Sequence, residues 1–259
     1  MSALIDAGRL LATAATFLTR LPWVARWCYP DLDALGRATP CFPVIGAVVG
    51  LIAAAAGLAA LALTGSVTVA AWVVLIAGIL TTGAFHEDGL ADACDGLFGG
   101  YTVERKLDIM KDSRIGSFGA AALVLLFGTK AALLAALDPA HWLPALIAAH
   151  VWARASTLPL AYALPYVRDG NHKPVAAAVT PFRLALGLGL ALALTLPAGP
   201  LLAFAAGLLT LATTALLGRW LRGQIGGITG DTLGAVNQVV ELLVLGLWLS
   251  ALHHGLIGG

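Results

Sequence analysis

The stretch His86-Glu87-Asp88-Gly89-Leu90-Ala91-Asp92-Ala93-Cys94-Asp95-Gly96 follows directly on a long apolar run, residues 67–85. It places four carboxylates in nine residues. Seven of the chain's 14 acidic residues lie between Glu87 and Asp112. Asp88, Asp92 and Asp95 fall at i, i+4 and i+7, one face of a helix. Like charges repel at that spacing, and no Lys or Arg interleaves between Glu87 and Asp95. Something cationic is therefore expected against the stripe. A divalent metal holding a phosphorylated substrate is the simplest such thing. The alternative is a solvated acidic patch on a loop.

Working outward, the surrounding chain is lipid-compatible. It is 59% hydrophobic and 11% charged, with a mean hydropathy of +0.90. Soluble domains carry about 25% charged residues. Thirty glycines fit helices that pack closely in a membrane. A net charge of +1 without a basic, aromatic-interleaved patch gives no reason to expect nucleic acid. Cys28, Cys41 and Cys94 show no metal-ligand spacing and read as ordinary small residues rather than a disulfide framework. No cleavable signal peptide is evident.

Hydropathy predicts an all-α polytopic membrane protein of one domain, residues 1–259. About seven spans are expected, at 44–63, 67–85, 118–137, 141–163, 182–198, 199–217 and 233–252. Pro197-Ala198-Gly199-Pro200 splits the fifth from the sixth as a hairpin turn. Residues 8–24 read as an interfacial or re-entrant helix. Lys and Arg occupy alternate connections. The region through residue 43 has Arg9, Arg20, Arg26 and Arg37, and loop 86–117 has Arg105, Lys106, Lys111 and Arg114. Loop 164–181 with Arg183, and loop 218–232 with Arg219 and Arg222, carry the rest outside the spans. The positive-inside rule then puts the N-terminus in the cytoplasm and the C-terminus in the periplasm. All four polar connections, and the acidic stretch, meet on the cytoplasmic side of the inner membrane.

Other polar residues converge on that side. Glu104, Asp108 and Asp112 repeat the helical spacing, but with Arg105, Lys106 and Lys111 mixed in they also read as a salt-bridged surface helix. Asp112-Ser113-Arg114-Ile115-Gly116-Ser117 places small residues and an Arg at a helix mouth, suited to a phosphate. In Gly226-Gly227-Ile228-Thr229-Gly230-Asp231-Thr232, Asp231 is either a helix cap or a metal ligand or base. Gln238 and Glu241 continue its stripe inward, so Glu241 falls inside the membrane and needs a partner. Arg154, mid-span, is a candidate for that partner or for a substrate phosphate. Lys130 faces the interior or snorkels to an interface. The loop with Arg168, Asp169, Asn171, His172 and Lys173 offers donors for a second phosphate or a sugar. His86 is a general base, a metal ligand, an orienting donor or an interfacial histidine without duty.

These parts suit phosphoryl transfer, which needs charge neutralisation, in-line geometry and a base for the attacking hydroxyl. Nothing resembles a P-loop, a Ser/His/Asp set, or a haem or iron–sulfur site.

The run Glu87-Asp88-Gly89-Leu90-Ala91-Asp92 with Cys94-Asp95-Gly96 resembles the signature of the cobalamin synthase family, the adenosylcobinamide-GDP ribazoletransferases. The resemblance continues through Met110-Lys111-Asp112-Ser113-Arg114-Ile115-Gly116 and Gly226 to Ala235, and takes in Thr19-Arg20-Leu21-Pro22 and Phe42-Pro43-Val44-Ile45-Gly46. It implies an inner-membrane enzyme that needs Mg²⁺. In it, a ribose hydroxyl of α-ribazole or its 5′-phosphate attacks the cobinamide-side phosphate of adenosylcobinamide-GDP. GMP leaves, and adenosylcobalamin or its 5′-phosphate forms.

On this reading Glu87, Asp88, Asp92 and Asp95 surround the metal, and His86, Asp88, Asp92 and Asp231 are catalytic. Asp112, Ser113, Arg114, Arg154, Arg168, Asn171, Thr229 and Glu241 bind substrate. The partners are the two small-molecule substrates and the bilayer. A homo-oligomer, or association with other corrinoid-assembly enzymes, stays open. Two rival readings are a CDP-alcohol phosphotransferase, whose motif differs after Asp88-Gly89, and a transporter with an intramembrane ion path.

Overall fold

The computed structural model describes residues 2–21, 32–168 and 179–256, and among them every regular element is helical. Helix α1 (Ser2–Leu18) is followed by α2 (Leu32–Ala38), which passes through a 3₁₀ turn into α3 (Phe42–Thr64). Gly65 ends α3 in the left-handed region, at φ 66°, and the Ser66 side chain caps α4 (Val67–Thr82) by accepting from the Val69 amide. Two successive left-handed residues, Gly83 at φ 69° and Ala84 at φ 58°, then turn the chain by 91° into α5 (Phe85–Gly99). Ala84 is the sole non-glycine with positive φ among the described residues. The strain of an L-residue there, about 1–2 kcal/mol, is accepted where the acidic helix begins.

After α5 come α6 (Val103–Ile109), α7 (Ser117–Ala136), α8 (Trp142–Ala155) and α9 (Thr157–Ala163). Then follow α10 (Pro181–Thr195), α11 (Pro200–Ile225) and α12 (Gly230–His253). The predicted turn between α10 and α11 is present, as a 3₁₀ segment ending at Gly199 with φ 124°.

Among the described residues, five segments are long and apolar enough to cross a membrane: Ala34–Thr64, Ser117–Ala136, Pro181–Ala198, Pro200–Ile225 and Gly230–His253. A sixth exists if α4 and the bent α5 count as one crossing. Two of the seven expected spans, 67–85 and 141–163, are short or broken. Helix α4 has 16 residues, about 24 Å of rise against about 30 Å of hydrocarbon. The expected span 141–163 is broken at Ser156. There the Ser156 and Thr157 hydroxyls donate back to the carbonyls of Ala153 and Arg154, and Pro159 has no amide to continue the ladder. Of the segment expected at 8–24, residues 8–21 are described; it is helical through Leu18 and packs on α2 and α3.

Helix α8, at the centre, buries nearly every residue, and packs between α3 and α12. The α3 contact is backbone on backbone. A Cβ on Gly46 or Gly50 would overlap the main chain at His150 or Leu146. The outer surface is apolar, with Leu63, Leu80, Val124, Leu125, Phe182, Leu208 and Leu216 exposed, while Lys130, His150, Arg154, Gln238 and Glu241 are buried. Apolar outside and charged inside is the polarity of a protein whose solvent is lipid. The chain is a multi-pass membrane protein.

Candidate functional site

Helix α5 sorts its acidic side chains by angle and height. Asp88 and Asp92 point into an open cavity of about 560 Å³, lined also by Met110, Lys111, Asp112, Ser113, Arg168 and Asp231. Four carboxylates therefore face two cations in that cavity. Asp231 arrives in the first turn of α12, which is started by a capping box. The Thr229 side chain accepts from the Thr232 amide, and the Thr232 hydroxyl accepts from the Thr229 amide. Helix α5 lies across the end of α4 rather than continuing it. There the Asp92 carboxyl is pushed up to about 6, first by burial and then by Asp231 and Asp88. The repulsion expected from the spacing is present.

Arg168 is delivered by a second local device. Val167 donates its amide to the Ile228 carbonyl at 3.0 Å, and Ile228 donates to the Pro165 carbonyl at 2.9 Å, forming the parallel bridge of Tyr166 with Ile228. The guanidinium then forms an ion pair with Asp231 at 3.0 Å and donates to the Met110 carbonyl at 2.9 Å. Arg168 is thus beside the acidic cavity, as expected. Asn171, Asp169, His172 and Lys173 lie outside the described residues.

Several expected site residues are elsewhere. Asp95 shares the face of Asp88 and Asp92 but sits further along α5, where its two oxygens accept from the amides of Gly116 and Gly119 at 2.7 and 2.9 Å. It is an anion on the N-terminus of α7. A Cβ at either glycine would run into it. The phosphate expected at that helix mouth is replaced by the protein's own carboxylate. Glu87, one residue before Asp88 and so about 100° around the helix, faces inward and accepts from Gln238 Nε2 at 3.3 Å. The expected four-carboxylate metal set is therefore divided three ways. Among the described residues no group of three or more His, Cys, Asp or Glu side chains stands converged on a metal position.

His86 is buried, stacks edge-on against Phe85 and lines no part of the acidic cavity. Its Nδ1 is buried with no hydrogen-bond partner among the described residues. Its expected role as base has no support from position. Thr229 is fully buried as the α12 cap, with its hydroxyl also on Met110 Sδ at 3.9 Å, and is not offered to a substrate. Arg114 holds Asp112 at 2.6 Å on the surface, 86% exposed. That contact lowers Asp112 to about 2 and raises Arg114. Ser113 and Asp112 line the cavity rim and Arg114 does not.

Arg154 and Glu241 are partners of each other, at 3.0 Å, as one of the two expectations for Arg154 had it. They do not reach the open cavity. Glu241 also takes an ion pair from Lys130 and lies 3.1 Å from His150 Nδ1. Lys130 Nζ donates further to Gln238 Oε1 at 2.6 Å. Lys130 is thus buried and paired, not snorkelling. With Glu87 the network holds two acids and two permanent cations, a balanced set. Lys111 is a cavity residue that the site assignment left out. Its place in Met110-Lys111-Asp112-Ser113 was the available signal.

The sequence profile of the cobalamin-5-phosphate synthase family matches residues 10–249. An adenosylcobinamide-GDP ribazoletransferase of Shewanella frigidimarina is 40% identical over 252 residues, covering 93% of this chain and 95% of its own length. Those of Leptothrix cholodnii and Ralstonia pickettii are 41% and 42% identical, over 96% and 97% of this chain and 98% and 100% of theirs. No solved structure matches. A profile match over almost the whole chain, with relatives near 40% identity end to end, leaves one conclusion: the chain belongs to the cobalamin-5-phosphate synthase family.

Proposed function

We propose that this protein is an adenosylcobinamide-GDP ribazoletransferase. It transfers the cobinamide phosphate to a ribose hydroxyl of α-ribazole or its 5′-phosphate and releases GMP, giving adenosylcobalamin or its 5′-phosphate. The observation that carries the reading is that Asp88, Asp92 and Asp231, from two helices, line one open cavity with Lys111 and Arg168. A diphosphate needs cations on its outer oxygens, and Lys111 and Arg168 are placed to give them. The attacking hydroxyl needs an acceptor for its proton. A carboxylate of the cavity that is left outside the metal's ligands would take it.

The donors fit magnesium by type, since carboxylate oxygens are what a hard divalent ion takes. They fit by charge too, because four carboxylates face two cations there. Asp88, Asp92 and Asp231 are the residues that would hold it. A bound magnesium supplies charge neutralisation at the phosphoryl oxygens. Arg168 now compensates Asp231 at 3.0 Å, so its guanidinium is free to turn to a substrate phosphate once another cation takes that role. With α4 and the broken α8–α9 pair also crossing, the alternation of Lys and Arg among the connections opens the cavity to the cytoplasm and puts the N-terminus inside and the C-terminus in the periplasm.

The test is direct. Protein reconstituted in lipid vesicles is given adenosylcobinamide-GDP, α-ribazole 5′-phosphate and Mg²⁺, and GMP and corrinoid product are measured. Equimolar GMP and product, abolished by a chelator and restored by Mg²⁺, is the expected result. Hydrolysis without corrinoid product, or turnover indifferent to the chelator, rejects it.

A further inference from the structure

Helices α5 and α12 meet through their backbones. A Cβ on Gly89 would lie 3.1 Å from the Asp231 carbonyl oxygen, and one on Gly234 would lie 3.2 Å from the His86 carbonyl oxygen. Such a contact brings Asp88 and Asp92 close to Asp231, but glycine against glycine has no interlocking side chains to stop one helix rolling on the other. Asp88 and Asp92 of α5 also share one cavity with Asp231, so like charges face one another there. Asp95, held by the Gly116 and Gly119 amides, fixes the far end of α5, and the end that carries Asp88 and Asp92 needs a contact of its own.

That contact is available on the inward face. Glu87 accepts from Gln238 Nε2, Gln238 Oε1 accepts from Lys130 on α7, and Lys130 pairs with Glu241 one turn further along α12. Arg154 of α8 anchors Glu241 from the other side, at 3.0 Å. Glu87, Lys130, His150, Arg154 and Glu241 line a narrow cavity of about 20 Å³ that is less open than the acidic site, and all five are buried. In such surroundings each polar contact is costly to break and fixes geometry strongly. Gln238 is uniquely placed, because its amide serves α5 with one end and α7 with the other.

We propose that Glu87 and Gln238 are positioning residues. Their contact, braced by Lys130 and Glu241, sets the roll of α5 on α12 and so holds Asp88 and Asp92 toward Asp231. Glu87 acts through its neighbours and not as a ligand at the reacting phosphate. The effect on turnover rests on the transferase reading above, and the control of roll does not.

Cys94 gives a reporter of roll. It lies about 200° around α5 from Asp92, half-buried in an apolar groove with Leu97, Phe98 and Trp220. In the full chain carrying Cys28→Ser and Cys41→Ser, Cys94 is the sole thiol. Glu87→Gln, Glu87→Leu and Gln238→Leu are made in that background and reconstituted in vesicles. Maleimide labelling of Cys94, and kcat and KM per folded protein, are then measured. Glu87→Gln keeps an acceptor for Gln238 and is expected within about threefold of the parent in both readouts. Glu87→Leu and Gln238→Leu are expected to change the labelling rate by about fivefold or more, and to lower kcat by about 100-fold with KM within about threefold. If Glu87→Leu does not assemble, Gln238→Leu carries the test alone.

Unchanged labelling in the leucine variants overturns the proposal. So does a Glu87→Gln variant that loses as much kcat as Glu87→Leu, because the charge itself would then be acting. If labelling shifts as expected while the parent releases no GMP, the control of roll stands and the transferase reading falls.

Discussion

Two groups of charged side chains sit on different faces of α5, and they handle charge differently. The outer one, around Asp88, Asp92 and Asp231, is open and acidic in excess, with Arg168 paired to Asp231. The inner one, around Glu87, Lys130, Arg154 and Glu241, is buried and balanced, with each charge paired or hydrogen-bonded. Adjacent residues of the same acidic type, Glu87 and Asp88, fall into different groups because a helix turns about 100° per residue. An unbalanced set that remains accessible is ready for an incoming cation. A balanced set sealed from solvent is ready for nothing further, and serves to hold the structure.

The largest effect that tests this contrast is on turnover. Asp88→Asn and Asp92→Asn are each expected to lower kcat by on the order of 1,000-fold or more, with normal insertion and thermal unfolding. GMP release in vesicles measures the first, and light scattering on heating the second. Full activity in either variant would show that the outer group is not the reaction site. The converse is expected inside. Glu241→Leu strands Lys130 and Arg154 without their carboxylate, which costs about 3–5 kcal/mol for a buried pair broken on one side. Its first sign should be poor yield of folded protein, not a changed magnesium requirement. A variant that folds normally but needs more magnesium would move Glu241 to the outer group.

A smaller effect reads the outer charge excess directly. The folded-state pKa of Asp92 is about 6, above its ordinary value of 3.8, so the folded protein binds the extra proton. Stability from this group is present below pH 3.8 and is lost as pH rises through about 6. In magnesium-free buffer the melting temperature should therefore fall across that window by more in the parent than in Asp92→Asn. Identical pH slopes would mean the repulsion is not felt. The smallest effect is at the rim. Arg114 and Asp112 pair in full view of solvent, so Arg114→Ala should leave the melting temperature unchanged and shift KM by less than about threefold. A larger rise in KM would return Arg114 to the phosphate contact that its motif first suggested.

Much of the outer group was legible in the linear chain. Spacing put Asp88 and Asp92 on one face, and Asp231 and Arg168 were singled out from two other polar connections. Asp95 was placed on the correct face but not at the correct height. Helical angle is a local property, whereas the α7 amides that claim Asp95 come from 21 and 24 residues away. Glu87 was expected at the metal for a similar reason, since its partner Gln238 lies 151 residues away. Thr229 differs: its cap partner Thr232 is three residues on, so that cap was legible in Thr229-Gly230-Asp231-Thr232 itself. Arg154 with Glu241 was within reach, because a charge inside a span demands a partner and few were on offer.

Composition and hydropathic order, which depend only on which side chains follow one another, were enough to determine a helical membrane protein with a polar face carrying the acidic motif. Which expected spans are shortened or broken, which carboxylates share a cavity and which are consumed as helix caps or buried pairs were decided only by the packed fold. Those outcomes depend on a 91° turn at Gly83 and Ala84, on the break at Ser156, and on contacts between helices more than a hundred residues apart. A residue's neighbours along the chain fix its angle on a helix, and only its neighbours in space fix what that angle faces.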